Sequence, residues 1–340
     1  MRAAVIRRHG PPEVFEWREM PEPVPGEGDV CIRVHAIGIN FADLLARMGL
    51  YPGAPKPPFI PGLELSGMVE VAPPARAGAL RVNDHVLALT NFNAYAERVV
   101  VPARQVFRIP EGMSFEHAAA IPVNYLTAYH AMFQMGNLQP GDRILIHGAA
   151  GGVGIAAVQL ARTRKLIIFG TAGPGKQQFL KKIGVHHPLD YTREDFVHEV
   201  RRIAPDGIEM VMDPIGGESY ARSARCLGPT GRLVVYGFSS AAGPEAKRNL
   251  WRGLRALWRT PRFHPLSLMS KNLSVIGVHL GRLETRGALL RRELEHIFRL
   301  YAAGRLQPVI AKTFPLQEAP AAHHFIHARL NIGKVLLLAR

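Results

Sequence analysis

Cysteine is almost missing from this chain. Cys31 and Cys226 are the two present in 340 residues, which excludes a disulfide framework and favours a reducing compartment. No apolar run reaches the roughly 18 to 20 residues of a membrane span. Met1-Arg2 leads directly into the strand-like Ala3-Ala4-Val5-Ile6, so no signal peptide is expected and a cytoplasmic setting is. Acidic side chains are also in deficit, 27 against 42 Lys and Arg, for a formal charge of +15. That imbalance first suggests nucleic acid. The basic residues are spread along the whole chain, however, and no nucleic-acid module accompanies them, so we read a scattered basic surface and no nucleic-acid partner.

The chain is organised around Gly148-Ala149-Ala150-Gly151-Gly152-Val153-Gly154. The apolar run Arg143 to His147 precedes it and Ile155 to Ala161 follows, which reads as strand, glycine turn, helix. Such a turn lets the backbone of Ala150, Gly151, Gly152 and Val153, with the helix N-terminus behind it, approach a pyrophosphate. Alanine stands where dinucleotide fingerprints carry their first glycine, so the motif alone is weak. Further support lies about twenty residues on, where NAD enzymes place an acid for the ribose 2′-hydroxyl. Here Leu166 to Gly170 runs into Thr171-Ala172-Gly173-Pro174-Gly175-Lys176 with no acid. Thr171 and Lys176 suit a 2′-phosphate, which a carboxylate would repel, so the expected cofactor is NADPH rather than NADH. A solvated first-turn lysine is the plainer reading of Lys176.

A chain of this length exceeds one ordinary core, and two domains are expected. Up to about residue 123 short β-type runs separated by Pro and Gly, among them Val30 to Ala36, Leu65 to Val71 and His85 to Leu89, describe a small barrel. Ser114 caps a helix starting at Phe115, and a second helical pattern runs from Tyr125 to Met135. From Arg143 strands and helices alternate, with strands at Arg143 to His147, Leu166 to Gly170, Glu209 to Met212 and Leu233 to Gly237. That is the pattern of a doubly wound parallel sheet, and the fold class is α/β.

Several segments carry a resemblance. They are Gly38-Ile39-Asn40-Phe41-Ala42-Asp43, Arg47-Met48-Gly49-Leu50-Tyr51, Pro61-Gly62-Leu63-Glu64-Leu65-Ser66-Gly67, Tyr125-Leu126-Thr127-Ala128-Tyr129 and the glycine turn. Over nearly its whole length the chain resembles the quinone oxidoreductase branch of the medium-chain dehydrogenase/reductase superfamily. Asn124-Tyr125-Leu126-Thr127, Asp213-Pro214-Ile215-Gly216-Gly217 and Lys247-Arg248-Asn249-Leu250 carry a narrower likeness to the vesicle amine transport protein subfamily. The resemblance implies a GroES-like catalytic domain from residues 1–123 and 312–340 and a Rossmann domain from 124–311, with the active site in the cleft between them. Val335 to Leu338 would be the last strand, returning to the first domain.

Zinc-dependent members of that superfamily place a Cys where Asn40 stands, a His beside the residue matching Glu64, and a four-cysteine lobe. Leu63 cannot ligate a metal and two cysteines cannot build a four-cysteine site, so no zinc is expected. The resemblance then implies reduction, with hydride passing from NADPH to a quinone or an α,β-unsaturated carbonyl, a small electrophilic acceptor whose identity the sequence leaves open. Tyr51 and Asn40 are the expected donors to the acceptor's carbonyl oxygen, with Tyr51 also a proton source. The alternatives are that Asn40 holds the nicotinamide or its loop and that Tyr51 lines the pocket, while Asp43 orients its loop. Thr127 is expected beside the nicotinamide and Tyr191 near the 2′-phosphate or adenine. Gly237, Phe238 and the Asn331 to Lys334 turn are expected on the ribose and nicotinamide side, with Asp213 in a structural turn. Asn40-Phe41-Ala42-Asp43 and Gly173-Pro174-Gly175-Lys176 also resemble enoyl reductase domains of polyketide synthases, which makes an enoyl thioester the alternative substrate.

His186-His187 and His323-His324 lack companion ligands and read as surface or capping histidines. Lys247 to Thr260 forms a basic amphipathic pattern with Leu250, Trp251, Leu254, Leu257 and Trp258 on one face. That face fits a peripheral contact with anionic lipid, as in a membrane-associated NADPH-binding protein with little turnover, or else a packed cover over the cleft or a dimer contact. Leu273 to Leu280 reads as an apolar edge strand, through which the resemblance implies a homodimer.

Overall fold

The computed structural model describes residues 1–73, 80–243 and 250–339. The barrel-type region folds as β1 (Arg2–Ile6), β2 (Phe15–Glu19), β3 (Asp29–Ile39), β4 (Glu64–Val71), β5 (His85–Leu89), β6 (Arg98–Pro102) and β7 (Val106–Arg108). The alternating region supplies β8 (Arg143–Ile146), β9 (Ile167–Ala172), β10 (His187–Asp190), β11 (Ile208–Asp213), β12 (Leu227–Val235) and β13 (Ser274–Gly277). β14 (Ile310–Pro315) and β15 (Lys334–Leu338) return to the first region. β1 and β2 form an antiparallel pair, while one seven-stranded sheet runs β14-β15-β3-β4-β5-β7 with β6 also on β3. The last strand of the chain therefore joins the sheet of the first region, Val335 opposite Ile39 and Leu338 opposite Ala36. The second sheet is six-stranded and parallel, in the order β10-β9-β8-β11-β12-β13.

Eleven α-helices connect the described strands: α1 (Phe41–Arg47), α2 (Phe115–Ala120), α3 (Pro122–Tyr129), α4 (Gly152–Thr163), α5 (Gln177–Lys182), α6 (Phe196–Ile203), α7 (Glu218–Ala224), α8 (Leu250–Trp258), α9 (Pro265–Lys271), α10 (Gly287–Ala302) and α11 (Ala319–His327). Strand alternation explains why the parallel strands are apolar throughout. Ile144, Ile146, Ile168, Met210, Met212 and Val234 enter one core with Leu126, Ala157 and Leu294 from α3, α4 and α10. Their neighbours Leu145, Phe169, Val211 and Leu233 enter the opposite core with Phe196, Val200 and Tyr220 from α6 and α7. A third core lies between the seven-stranded sheet and its coverings, with Ile32, Ile37, Leu65, Tyr95 and Leu337 wholly buried.

Ser114 caps α2 as its sequence position suggests, its Oγ accepting from His117 N at 3.1 Å. The second helical pattern departs from expectation. α3 begins three residues before Tyr125 because Pro122 supplies a helical φ without needing an amide partner in the first turn. It gives way after Tyr129 to a wider π-type turn over His130–Met135. The edge strand is also shorter than Leu273 to Leu280. Its last residue pair is Gly277 with Val235, where β12 ends, so the chain beyond Val278 has no partner strand and turns away at His279.

Candidate active site

Strand order in the parallel sheet reverses between β8 and β11, and ligands bind such sheets at the carboxyl ends of strands beside this reversal. The glycine turn leaves β8 there. Gly148 has φ +64, and a Cβ on Gly154 would lie 2.2 Å from the Gly148 carbonyl oxygen, so this turn accepts no side chain at that point. Gly151 is the N-cap of α4, whose first-turn amides point to the turn's open side. The turn is closed from behind by the C-terminal loop: Gly333 N donates to the Ala150 carbonyl at 2.9 Å, and Gly151 and Gly333 form a β-bridge. Bare backbone and a helix N-terminus fit a pyrophosphate.

Beneath the turn lies a buried polar chain. Ser223 Oγ and Ser219 Oγ each donate to Asp213 Oδ2 at 2.7 Å, and Asp213 Oδ1 accepts from Ile215 N at 2.7 Å. Since Ser223 spends its proton on the carboxylate, its oxygen accepts from His147 Nε2 at 3.0 Å. His147 Nδ1 is then the acceptor from Thr171 Oγ1, also at 3.0 Å. Burial lowers the His147 pKa, with Asp213 opposing, which favours this neutral form. Thr171 is 1% exposed, and its oxygen faces Gly148 N at 3.4 Å. Its hydroxyl thus supports the turn from inside, engaged with His147 and Gly148.

Three other side chains gather at the end of β9. Lys176 Nζ donates to the carbonyls of Arg329 at 2.7 Å and Asn331 at 2.8 Å. Arg329 Nη1 donates to Tyr191 Oη at 2.9 Å, and that oxygen lies 3.3 Å from where a Cβ on Gly173 would be. Burial, then the nearby Arg329 charge, lowers the Lys176 pKa. Two cations and a phenol beside a bare glycine fit a dianionic phosphate. Arg329 was not legible as a site residue. Its φ of +56, uncommon for a residue with a side chain, comes from the loop that turns it toward Tyr191. Asn331 keeps its side chain within the loop, donating to the Gly333 carbonyl at 3.0 Å.

Across the cleft a second polar cluster is buried in the seven-stranded sheet's domain. Lys334 Nζ donates to Asn40 Oδ1 at 2.7 Å and forms an ion pair with Glu64. Asn40 Nδ2 donates to Glu64 Oε1 at 2.8 Å and to the Gly38 carbonyl at 3.3 Å. Glu64 Oε2 accepts from Val123 N at 2.7 Å, at the start of α3. Both amide hydrogens of Asn40 are spent, so in this arrangement Asn40 has none for an acceptor's oxygen and serves to position its neighbours. Lys334 likewise turns into this cluster and is 3% exposed. Asp43 pins the site's two loops together, accepting from Asn40 N at 2.8 Å and Gly62 N at 3.1 Å. Its complete burial pushes its carboxyl up to about 7 against the pull of those two amides.

Tyr51 stands at the end of α1, half-buried, with its ring edge-on to Phe92 and its hydroxyl 3.1 Å from His279 Nε2. Burial, then the Asp43 carboxylate, raises its pKa, with Arg282 opposing. The sequence pattern places His279 within the edge strand, whereas the turn after Val278 carries it beside Tyr51. Thr127 is buried on α3, the helix that packs on α4. The Gly237 carbonyl accepts from Tyr220 Oη at 2.5 Å, and the Phe238 ring fills the space a side chain on Gly216 would need.

α8 lies against both sides of this site. Gly253 approaches Leu50 and the Ala256 backbone approaches Gly217, so its small residues face inward. The expected apolar face points to water instead: Trp251 is 82% and Trp258 86% exposed, with Leu254 and Leu257 more than half exposed. Lys247, Arg248 and Asn249 lie outside the described residues. Among the described residues no three His, Cys, Asp or Glu side chains gather as a metal-binding group. His323 is not a surface residue as expected. It is fully buried, bonded to Arg47 Nε at 3.3 Å and Tyr95 Oη at 3.2 Å, because α11 packs that face inward.

Two family models match the chain: alcohol dehydrogenase GroES-like domain over residues 26–111 and zinc-binding dehydrogenase over residues 183–337. The synaptic vesicle membrane protein VAT-1 homolog of Rattus norvegicus is 43% identical over 95% of this chain and 80% of its own. A 2-haloacrylate reductase of Burkholderia sp is 32% identical over 99% of this chain and 98% of its own. Among solved structures, Escherichia coli quinone oxidoreductase complexed with NADPH superposes with a TM-score of 0.88 at 29% identity, covering 99% of this chain and all of that one.

Proposed function

We propose that this chain, which belongs to the medium-chain dehydrogenase/reductase superfamily and is close to its quinone oxidoreductases and VAT-1 homologs, is a zinc-independent, NADPH-dependent reductase of quinones or α,β-unsaturated carbonyls. The observation that carries this reading is the gathering of Lys176, Arg329 and Tyr191 at the end of β9, with the Tyr191 hydroxyl beside the bare backbone of Gly173. That cluster supplies positive charge and a hydroxyl where a 2′-phosphate would lie, with the glycine turn beside it for the pyrophosphate. NADPH supplies a hydride when bound. The chain's own residues hold the acceptor in the cleft, with Tyr51 as donor to the oxygen that becomes negative. Asn40, Asp43, Glu64 and Lys334 keep the Tyr51 side of the cleft in place, and Thr127, Gly237 and Phe238 shape the nicotinamide side. The 2-haloacrylate reductase relative is named for an unsaturated substrate, which supports the unsaturated acceptors. An enoyl thioester is the alternative within the same chemistry.

The test is NADPH oxidation against ortho- and para-quinones, simple enones and crotonyl thioester, with NADH alongside. Turnover confined to one acceptor class identifies the substrate type. Tight NADPH binding without turnover on any acceptor removes the reductase reading.

A second reading concerns location, and the exposed Trp251, Leu254, Leu257 and Trp258 favour it. Arg255 on the same helix is exposed, and so are Leu266 and Met269 of the following helix α9. No described helix is long and apolar enough to cross a membrane. An apolar face with an exposed arginine on the same helix suits peripheral contact with anionic lipid, and the VAT-1 homologs are named as vesicle membrane proteins.

A further inference from the structure

Tyr51 and His279 come from different sheets, and nothing in the pattern of either segment couples them. Tyr51 follows α1 in the domain of the seven-stranded sheet, and its ring is held by Phe92. His279 follows β13, the edge of the parallel sheet, and its backbone oxygen accepts from Arg282 N at 3.0 Å. Their rings approach across the cleft at a centroid distance of 5.8 Å, with Tyr51 Oη 3.1 Å from His279 Nε2. The tyrosine is half-buried while the histidine is exposed. One member therefore reaches inward and the other touches water. That is the arrangement of a proton path from solvent to a cleft.

Resting on the reductase reading above, we propose that His279 is the positioning and proton-supplying partner of Tyr51, so that the two form a relay completing the reduction. Hydride addition forms a new C–H bond and leaves the electron pair of the acceptor's double bond on its oxygen. The Tyr51 O–H bond then breaks as the acceptor's O–H forms. His279 Nε2–H passes its proton to the Tyr51 oxygen, and the exposed imidazole regains one from water. The overall balance is acceptor, hydride and one solvent proton to reduced acceptor. Tyr51 touches the substrate in this scheme, whereas His279 acts through Tyr51.

Two measurements test the pair, one of them independent of turnover. In cofactor-free protein the ¹⁵N resonances of the His279 ring are followed in wild type and Tyr51→Phe. A shift of Nε2 is expected, and an unmoved signal overturns the pairing. In turnover with a para-quinone and a simple enone, Tyr51→Phe lowers kcat about 100-fold and His279→Gln about 10-fold, the smaller effect because water still reaches Tyr51. KM and NADPH affinity by fluorescence stay near wild type, His279→Ala recovers rate on adding imidazole, and the double variant is no slower than Tyr51→Phe. Equal rates in His279→Gln and wild type, or independent losses in the double variant, overturn the relay while leaving the reductase reading intact. A wild type that turns over none of the acceptors overturns that reading and the relay together.

Discussion

Lys334 Nζ lies 2.7 Å from Asn40 Oδ1, joining the last strand of the chain to the start of its first helix. The same ammonium pairs with Glu64, whose side chain is wholly buried. A buried carboxylate held by one cation depends on it, and removing one partner of such a pair costs about 3 to 5 kcal/mol. Lys334→Met is therefore expected to lower unfolding free energy by about that amount in urea titration. Adding Glu64→Gln to Lys334→Met recovers part of the loss, because no charge is then left unpaired. Equal stability of wild type and Lys334→Met would remove this account.

Lys176 and Arg329 are expected to discriminate between the two nicotinamide cofactors. Losing one charge-assisted contact to a phosphate weakens binding about 10- to 100-fold. Lys176→Ala and Arg329→Ala should each raise the Kd for NADPH within that range and leave the Kd for NADH nearly unchanged. Fluorescence titration with both cofactors checks this, and parallel losses for the two cofactors would place the 2′-phosphate elsewhere.

Acid sensitivity is expected from the buried histidines around Arg47. Burial, then the Arg47 charge, pushes His327 down to about 4 and His323 well below its usual value. The unfolded chain, with its histidines near 6.5, then binds more protons than the folded one between those values. Stability contributed by these two groups is therefore full above about 6.5 and is lost as pH falls toward 4. Asp43, raised to about 7, contributes the opposite slope. Comparing Tm against pH for wild type and His327→Gln separates the two effects, and the variant should lose less stability on acidification.

α8 should bring the protein to anionic vesicles. Co-sedimentation with phosphatidylserine-containing liposomes at low salt is expected, falling as salt screens the arginines. Trp251→Ala with Trp258→Ala should abolish it without changing Tm, since both rings are in water. Absence of binding at low salt would leave that face for a protein contact.

The edge strand β13 is expected to pair with its copy in a second molecule, as exposed edges are rarely left open. Sedimentation velocity at micromolar concentration should give a dimer, and Val275→Pro, at a position whose amide faces away from β12, should give a monomer.

Much of the architecture was legible in the sequence because it follows from local rules. Alternating and continuous apolar runs specify which faces a strand buries, Ser114 marks a helix start, and glycines at 148 and 154 are required by a turn that closes on its own backbone. The missing acid after β9 and the lysine at 176 pointed to the 2′-phosphate end of the groove by charge alone. Only the tertiary structure decided how the polar side chains are spent. Asn40 looked like a donor by its place in a motif, yet it is saturated by Glu64 and Lys334, residues 24 and 294 positions away. Thr171 faces His147 inside the sheet, Arg329 reaches Tyr191 across the C-terminal loop, and His279 meets Tyr51 from the other domain. The small face of α8 turned inward and its tryptophans outward, a choice the amphipathic pattern left open. Secondary structure is written in neighbouring residues. A hydrogen-bond partner is chosen by which distant segments the fold brings within 3 Å or so, and no local pattern records that distance.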